Sequence, residues 1–285
     1  MPQHKHTAPG TVEGACSLLS EYGSRAAVFS GGQSLMPKVR RQETSEDVLV
    51  DINNIQDADY IETESGQVRI GCLARHADVV ESETVREANP TLGEAVATIG
   101  DVQVRNRGTL CGAVATAAPA GDPPVLAALF DADIVATSTD GDTVYDGRSF
   151  YEGGSTELEE TELIREVRFP ALGPGEGAAY EKWKPAGCAW PVATVGAYLS
   201  TSGGTVEEAR LYTGALEGEP SEMADAAGVI EGNIPDEETV LDAATRLGEN
   251  AEPMADADGS VEFKRELSKK LAKDALEAAA SRAGV

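Results

Sequence analysis

Short β-branched runs and longer helical patterns take turns along the first 170 residues. "AAVFS", "DVLVDI", "QVRIGCL", "ADIVATS" and "LIREVRF" are bounded by Gly, Asp or Pro and read as strands. Between some of them, "MPKVRRQ", "HADVVESETVREA", "TLGEAVATI" and "DPPVLAALF" carry helical spacing. Strands mixed with helices predict an α+β domain. Around "FPALGPGEGAAY" the Gly and Pro density rises, which predicts a boundary near residues 170–177. Beyond it come strand-like runs in "WPVATVGAYLS" and "TVEEARLYTGAL", then helices through "EETVLDAATRLG" and "FKRELSKKLAKDALEAAASRA", a second layered domain with strands first and helices after. The 285-residue length agrees with two domains, and neither repeats nor low-complexity segments interrupt the pattern.

Charge changes this picture by exclusion. The formal net charge is −26, with 15 arginines and 8 lysines. So acidic a surface argues against nucleic acid or an anionic membrane as partner, because phosphate neutralisation needs clustered Lys and Arg. An acidic, lysine-poor composition resembles that of proteins from salt-loving (halophilic) cytoplasms, where salt screens self-repulsion. No apolar run approaches the ~18 residues of a membrane span, and "MPQHKHTAPG" lacks the hydrophobic segment of a signal peptide. A soluble, cytoplasmic protein is expected. Cys16, Cys72, Cys111 and Cys188 stand far apart, without the paired spacing of iron–sulfur or structural zinc sites, so they read as isolated reduced thiols and no metal is expected. His4 and His6 form either a weak metal pair or part of a disordered polar terminus, and the second reading is favoured.

Candidate chemistry sits where acids are missing. Evenly scattered acids would put about three in any 20-residue window, yet residues 23–42 contain none and carry Arg25, Lys38, Arg40 and Arg41. Residues 102–121 again contain none and carry Arg105 and Arg107, and a third acid-free stretch spans 182–206. The first window holds "SGGQSL" and the second "NRGTLCGAV". Paired glycines allow positive φ or close approach to the backbone, so each stretch is a plain turn or an anion cradle. Burial alone also depletes acids, but four basic residues in one window are not core residues. Two such turns would suit the two charges of a pyrophosphate, one turn on either side.

With these residues in view, "SGGQSLMPKVR", "VLVDINNI", "RIGCLARHADV", "IGDVQVRNRGTLCGAVATAAPAGDPPVLAALFDADIV" and "YEKWKPAGCAWPVATVGAYL" together resemble the FAD-binding medium subunit of the molybdenum hydroxylases, the family of aerobic carbon monoxide dehydrogenase and xanthine dehydrogenase. The resemblance covers nearly the whole chain, to "GSVEFKRELSKKL". It implies an α+β fold: a two-subdomain FAD-binding domain of the vanillyl-alcohol-oxidase (PCMH) type over 1–172, divided at about 55, and a C-terminal α+β domain, an antiparallel sheet with helices, over 173–285. It places Ser30, Gly31, Gly32, Gln33, Ser34 and Leu35 at the FAD pyrophosphate, with Ser30 for the usual alanine. It places Thr109, Leu110, Cys111, Gly112 and Ala113 there as the second turn, and makes Asp122 an aspartate that helps to fix the cofactor.

The second turn departs from the family pattern: Cys111 stands for a glycine, Ala113 for Asn or Ser, Thr116 for a frequent histidine and Ala118 for a frequent aspartate. Cysteine fits only if its position does not require positive φ, and Ala113 gives up a hydrogen bond worth about 0.5–1.5 kcal/mol. Cys111 as a redox-active thiol lacks a resolving partner nearby in the sequence. Trp190 either stacks on the isoalloxazine or is a core tryptophan, and Lys182 either contacts the cofactor or is a solvated strand residue. Arg105 and Arg107 either pair with phosphate or, preferably, bridge to a partner subunit. His76, opening a helix, reads as a packing or capping residue. By resemblance, the chain is no site of substrate chemistry and has no catalytic side chain: it passes electrons from an iron–sulfur small subunit, partnered with a molybdopterin large subunit in a hetero-oligomer, through FAD to an acceptor such as NAD or quinone. The alternatives are a stand-alone flavin reductase of the same fold and a structural subunit that has lost FAD.

Overall fold

The computed structural model describes residues 4–285. Its first layer is a parallel sheet built by two crossovers: β1 (Lys5–Thr7), α1 (Val12–Tyr22), β2 (Ala26–Phe29), α2 (Leu35–Arg41) and β3 (Val48–Asp51). The strand order is β1-β3-β2. Parallel neighbours need a connection long enough to return the chain, and α1 and α2 supply it. The polar N-terminal stretch is therefore ordered from Lys5 onward, against expectation: Lys5–Thr7 pair with Val48–Val50, and His6 Nε2 lies 2.9 Å from Asp51 Oδ2. Three polar residues carry no strand signal by themselves; the hydrophobic β3 beside them orders them. The part of that expectation that falls on residues 1–3 lies outside the described residues.

The second layer begins with β4 (Ile61–Glu64) and β5 (Gln67–Gly71), continues through six helices, α3 (His76–Glu81), α4 (Glu83–Ala88), α5 (Pro90–Ala97), α6 (Val102–Arg105), α7 (Leu110–Thr116) and α8 (Asp122–Leu129), and returns to β6 (Asp133–Ser138) and β7 (Gly141–Asp146). A small hairpin, β8 (Tyr151–Glu152) and β9 (Ser155–Thr156), precedes β10 (Leu163–Pro170). The sheet is antiparallel in the order β4-β5-β10-β6-β7. "HADVVESETVREA" is two helices, since Ser82 leaves helical geometry at ψ 122° and its hydroxyl accepts from the Val85 N–H to cap α4.

The third layer is antiparallel, β11 (Glu176–Trp183), β12 (Ala193–Ser202), β13 (Thr205–Gly214) and β14 (Ser221–Glu222) in chain order, covered by α9 (Ala224–Ile230), α10 (Glu237–Asn250) and α11 (Val261–Ala283). Buried apolar residues form two cores, one under the first two layers and one between the third sheet and its helices. Helix α8 is buried along its whole length. A Cβ on Gly214 would meet Val125 Cγ2 at 2.5 Å and one on Gly196 would meet Leu129 Cδ2 at 2.7 Å, so these two glycines let α8 lie against the third sheet. That contact carries Asp122, the first residue of α8, into the seam between the layers. Among the described residues no helix is long and apolar enough to cross a membrane.

Candidate functional site

The chain leaves β2 at Phe29 and turns through Ser30–Ser34 into α2. The two glycines of the turn serve different ends. Gly32 has φ +71°, in the left-handed region that favours glycine. Gly31 meets the second turn: a Cβ there would lie 2.2 Å from the Arg107 carbonyl oxygen. The group that approaches the backbone closely is thus the other turn. Among the described residues, the backbone N–H groups of Gly31, Gly32, Gln33, Ser34 and Leu35 donate to no protein acceptor, while Met36 N–H closes on Gly32 O at 3.0 Å.

The second turn is the capped start of a helix. Thr109 Oγ1 accepts from Gly112 N–H at 3.2 Å, and Thr109 O accepts from Ala113 N–H at 3.1 Å. Cys111 lies inside α7 and outside the positive-φ positions, so cysteine meets no backbone objection there. Its thiol is buried and donates to Ile70 O at 3.4 Å. Burial pushes that thiol well above its ordinary value, and Cys72, itself pushed up to about 11 by burial, adds to the shift. Cys72 is thus a second thiol beside Cys111 that sequence spacing did not disclose, but both are held protonated and unreactive. Ser30 Oγ and Thr109 Oγ1 stand 3.0 Å apart and join the turns.

A cleft of about 460 Å³ opens on Ser30 through Leu35 and on Thr109, Cys111, Gly112 and Ala113. A second cavity of about 220 Å³ shares Gln33, Ser34, His76, Ala113 and Thr116 with it and adds Asp122, Lys182 and Trp190. The combined space falls in the range of small-molecule sites, roughly 300–1,000 Å³. Every candidate residue except Leu110, the fully buried first residue of α7, lines one cavity or both. Trp190 is 65% exposed, which removes the core reading. Lys182 is no solvated strand residue either: its Nζ lies 2.7 Å from Asp122 Oδ2, with the two side chains 7% and 6% exposed.

The family model "FAD binding domain in molybdopterin dehydrogenase" matches residues 3–172, and the "CO dehydrogenase flavoprotein C-terminal domain" matches 178–279. The chain belongs to this family. Its cofactor is FAD, and it is a flavoprotein subunit of the oxidoreductase class. Among curated relatives, the carbon monoxide dehydrogenase medium chain of Hydrogenophaga pseudoflava is 32% identical over 99% of this chain and 98% of that protein. The glyceraldehyde dehydrogenase medium chain of Sulfolobus acidocaldarius is 28% identical over 95% and 96%. Among solved structures, carbon monoxide dehydrogenase from Hydrogenophaga pseudoflava superposes with a TM-score of 0.94 at 33% identity, covering 99% of this chain and 98% of its own. The α+β architecture, with a FAD-binding domain followed by a C-terminal domain, is that of these subunits.

The residues present fit the family's cofactor. Five free N–H groups suit an anion, and His76 Nδ1 is a buried polar atom with no protein partner, on a ring that lines both cavities. Burial, then the nearby Arg105 guanidinium, pulls the His76 imidazole down to about 4, so it is neutral. The charge of the cleft differs from the sequence expectation. Of the four basic residues in the first acid-free window only Lys38 lines the cleft; Arg25 stacks on Tyr22 at 5.4 Å and Arg41 pairs with Glu43. Glu43, Glu46 and Glu162 also line it. Arg41 offsets Glu43, and Glu162 turns its carboxylate to Tyr145 OH at 2.6 Å and Glu159 N–H at 3.0 Å. Of the residues at the departures, Ala113 presents a methyl group to both cavities, while Thr116 spends its hydroxyl on Gly112 O at 2.6 Å. Arg105 Nη1 donates to Ile99 O at 2.9 Å within its own segment.

Three further residues escaped the sequence reading. Tyr180 OH donates to Asp122 Oδ1 at 2.9 Å; it lies two positions before Lys182 on β11 and shares its face, a signal visible once β11 is known to be a strand. Burial lowers the Lys182 ammonium, and Asp122 opposes that shift. Asn53 and Arg75, in "DINNI" and "LARHADV", bond to each other, and Asn53 donates to Ser30 O while Arg75 donates to Arg107 O.

Proposed function

We propose that the chain is the electron-transfer subunit of a molybdenum hydroxylase complex. It takes electrons from iron–sulfur clusters of a small partner subunit and passes them to an external acceptor such as NAD or quinone, while a large molybdopterin subunit carries the substrate chemistry. FAD, when bound, supplies the redox chemistry. The chain's residues bind and orient. Ser30 to Leu35 would hold the diphosphate with their free backbone N–H groups, Thr109 to Ala113 would back it from the second turn, and Asp122, Lys182 and Trp190, which line the second cavity, would hold the ring system. The carrying observation is that the two cavities adjoin at Gln33, Ser34, His76, Ala113 and Thr116, which line both. Two domains serve this layout, 1–172 (divided near 55) and 173–285, in keeping with two separate cores. The helical backbone of Cys111 removes one of the reasons to suspect a subunit that has lost FAD, the cysteine in place of glycine; Ala113 and Ala118 remain.

An absorption spectrum of the protein expressed alone at high salt, before and after FAD is added and the excess washed away, tests the cofactor step. A retained band near ~450 nm is expected from bound flavin. Co-purification with an iron–sulfur subunit and a molybdopterin subunit is expected in the source cell; recovery as an active monomeric reductase would overturn the electron-transfer role.

A further inference from the structure

The two turns meet across 79 residues of sequence, from Ser30 to Thr109, and their separation must match one diphosphate. Their direct hydroxyl contact, Ser30 Oγ to Thr109 Oγ1, is a single flexible bond. Behind them runs a stiffer connection. Asn53 Nδ2 donates to Ser30 O at 2.9 Å and to Asp51 Oδ1 at 2.7 Å, which fixes the amide at the end of β3. Its Oδ1 accepts from Arg75 Nη2 at 2.6 Å, and Arg75 Nη1 donates to Arg107 O at 2.7 Å. The Arg107 carbonyl is the one that abuts Gly31. Arg75 is itself anchored, because its backbone N–H donates to Asp78 Oδ2 at 2.8 Å as part of the α3 capping box.

We infer that Asn53 and Arg75 form a latch that sets the distance between the two turns, and that they are positioning residues for the cofactor's diphosphate. The inference rests on the proposed placement of FAD between those turns. Two properties favour it over plain packing. The planar guanidinium holds Asn53 and Arg107 with two different nitrogens at once, which a lysine cannot do. Both of these bonds go to neutral oxygens and among the described residues no carboxylate takes Arg75 as an ion-pair partner, so the guanidinium is left to hold the two segments, while Asp51, Asp59 and Asp78 lie near enough to favour its charge.

The test uses the full chain freed of flavin and titrated with FAD, well below its melting temperature, with Arg75→Met, Arg75→Lys, Asn53→Ala and the double variant Arg75→Met/Asn53→Ala. The expected result is a rise in the FAD Kd of about tenfold or more in each single variant, Arg75→Lys included, with the double variant no worse than the weaker-binding single one, because both substitutions open one connection. The melting temperature of the flavin-free chain should change little. A Kd within twofold of the parent in the single variants would overturn the latch, as would losses that add in the double variant. A purely structural pair would instead lower the melting temperature and leave the Kd of the folded fraction unchanged. Gly112→Val, whose side chain meets Thr109 Oγ1 within 2.6 Å, separates the two levels. If it abolishes FAD binding while the latch variants bind normally, the latch fails and the site stands; if it too binds normally, the placement of FAD fails and takes the latch with it.

Discussion

The two turns look alike in sequence and differ in the folded chain. "SGGQSL" is a true turn that lines the cleft, with Gly32 in the left-handed region and five N–H groups that, among the described residues, have no protein acceptor. "TLCGA" is the first turn of a capped helix, with Leu110 and Cys111 packed into the core. Ligand-facing polarity therefore concentrates in the first turn, while the second supplies a buried platform. That difference suits the departures from the family pattern: the platform tolerates cysteine for glycine, while the cradle of bare N–H groups keeps both glycines and departs only at its edge, with Ser30 for alanine.

Four substitutions sharpen or break this contrast. Gly31→Val has the largest expected effect, since no rearrangement of a side chain relieves a clash with the Arg107 carbonyl; a loss of about 3 kcal/mol, read as a fall in Tm together with loss of FAD, is expected. His76 comes next. Its imidazole sits at about 4 when folded against an ordinary 6.5, so between those values the unfolded chain binds a proton that the folded chain refuses. The stability present above about pH 6.5 falls as pH drops toward 4, by about 3 kcal/mol, and His76→Gln should flatten that part of a urea-unfolding series against pH. Cys111→Gly restores the family residue yet should destabilise by about 1–2 kcal/mol, through helical glycine and a lost buried side chain. An unchanged FAD Kd in that variant supports the platform; a tighter one breaks the contrast. Ala113→Ser should tighten FAD by about 2- to 10-fold, the worth of one hydrogen bond, as measured by quenching of flavin fluorescence.

Much of this was readable before the fold was known. β3, β5, β6 and β10 carry β-branched runs because they are buried in sheets, and α10 and α11 carry apolar stripes because one face meets a sheet or a neighbouring helix. β1 is polar and three residues long, and β11 begins in a Gly-rich stretch, so neither stands out. The glycine turns were legible because left-handed backbone and close approach both demand glycine. Asn53 and Arg75 were not, because their role consists of bonds to backbone atoms 23 and 32 residues away, and no local pattern encodes such partners. The pairing of Lys182 with Asp122 was hidden for the same reason, across 60 residues.

That last pair joins α8 to a strand of the segment matched by the C-terminal family model, and it forms part of the wall of the second cavity. Any ligand that fills that cavity is therefore thermodynamically linked to the docking of the C-terminal segment. Whatever free energy the docked segment adds to ligand binding, the ligand returns to docking in the same amount. Severing the segment and withholding the ligand are two routes to one loosened seam.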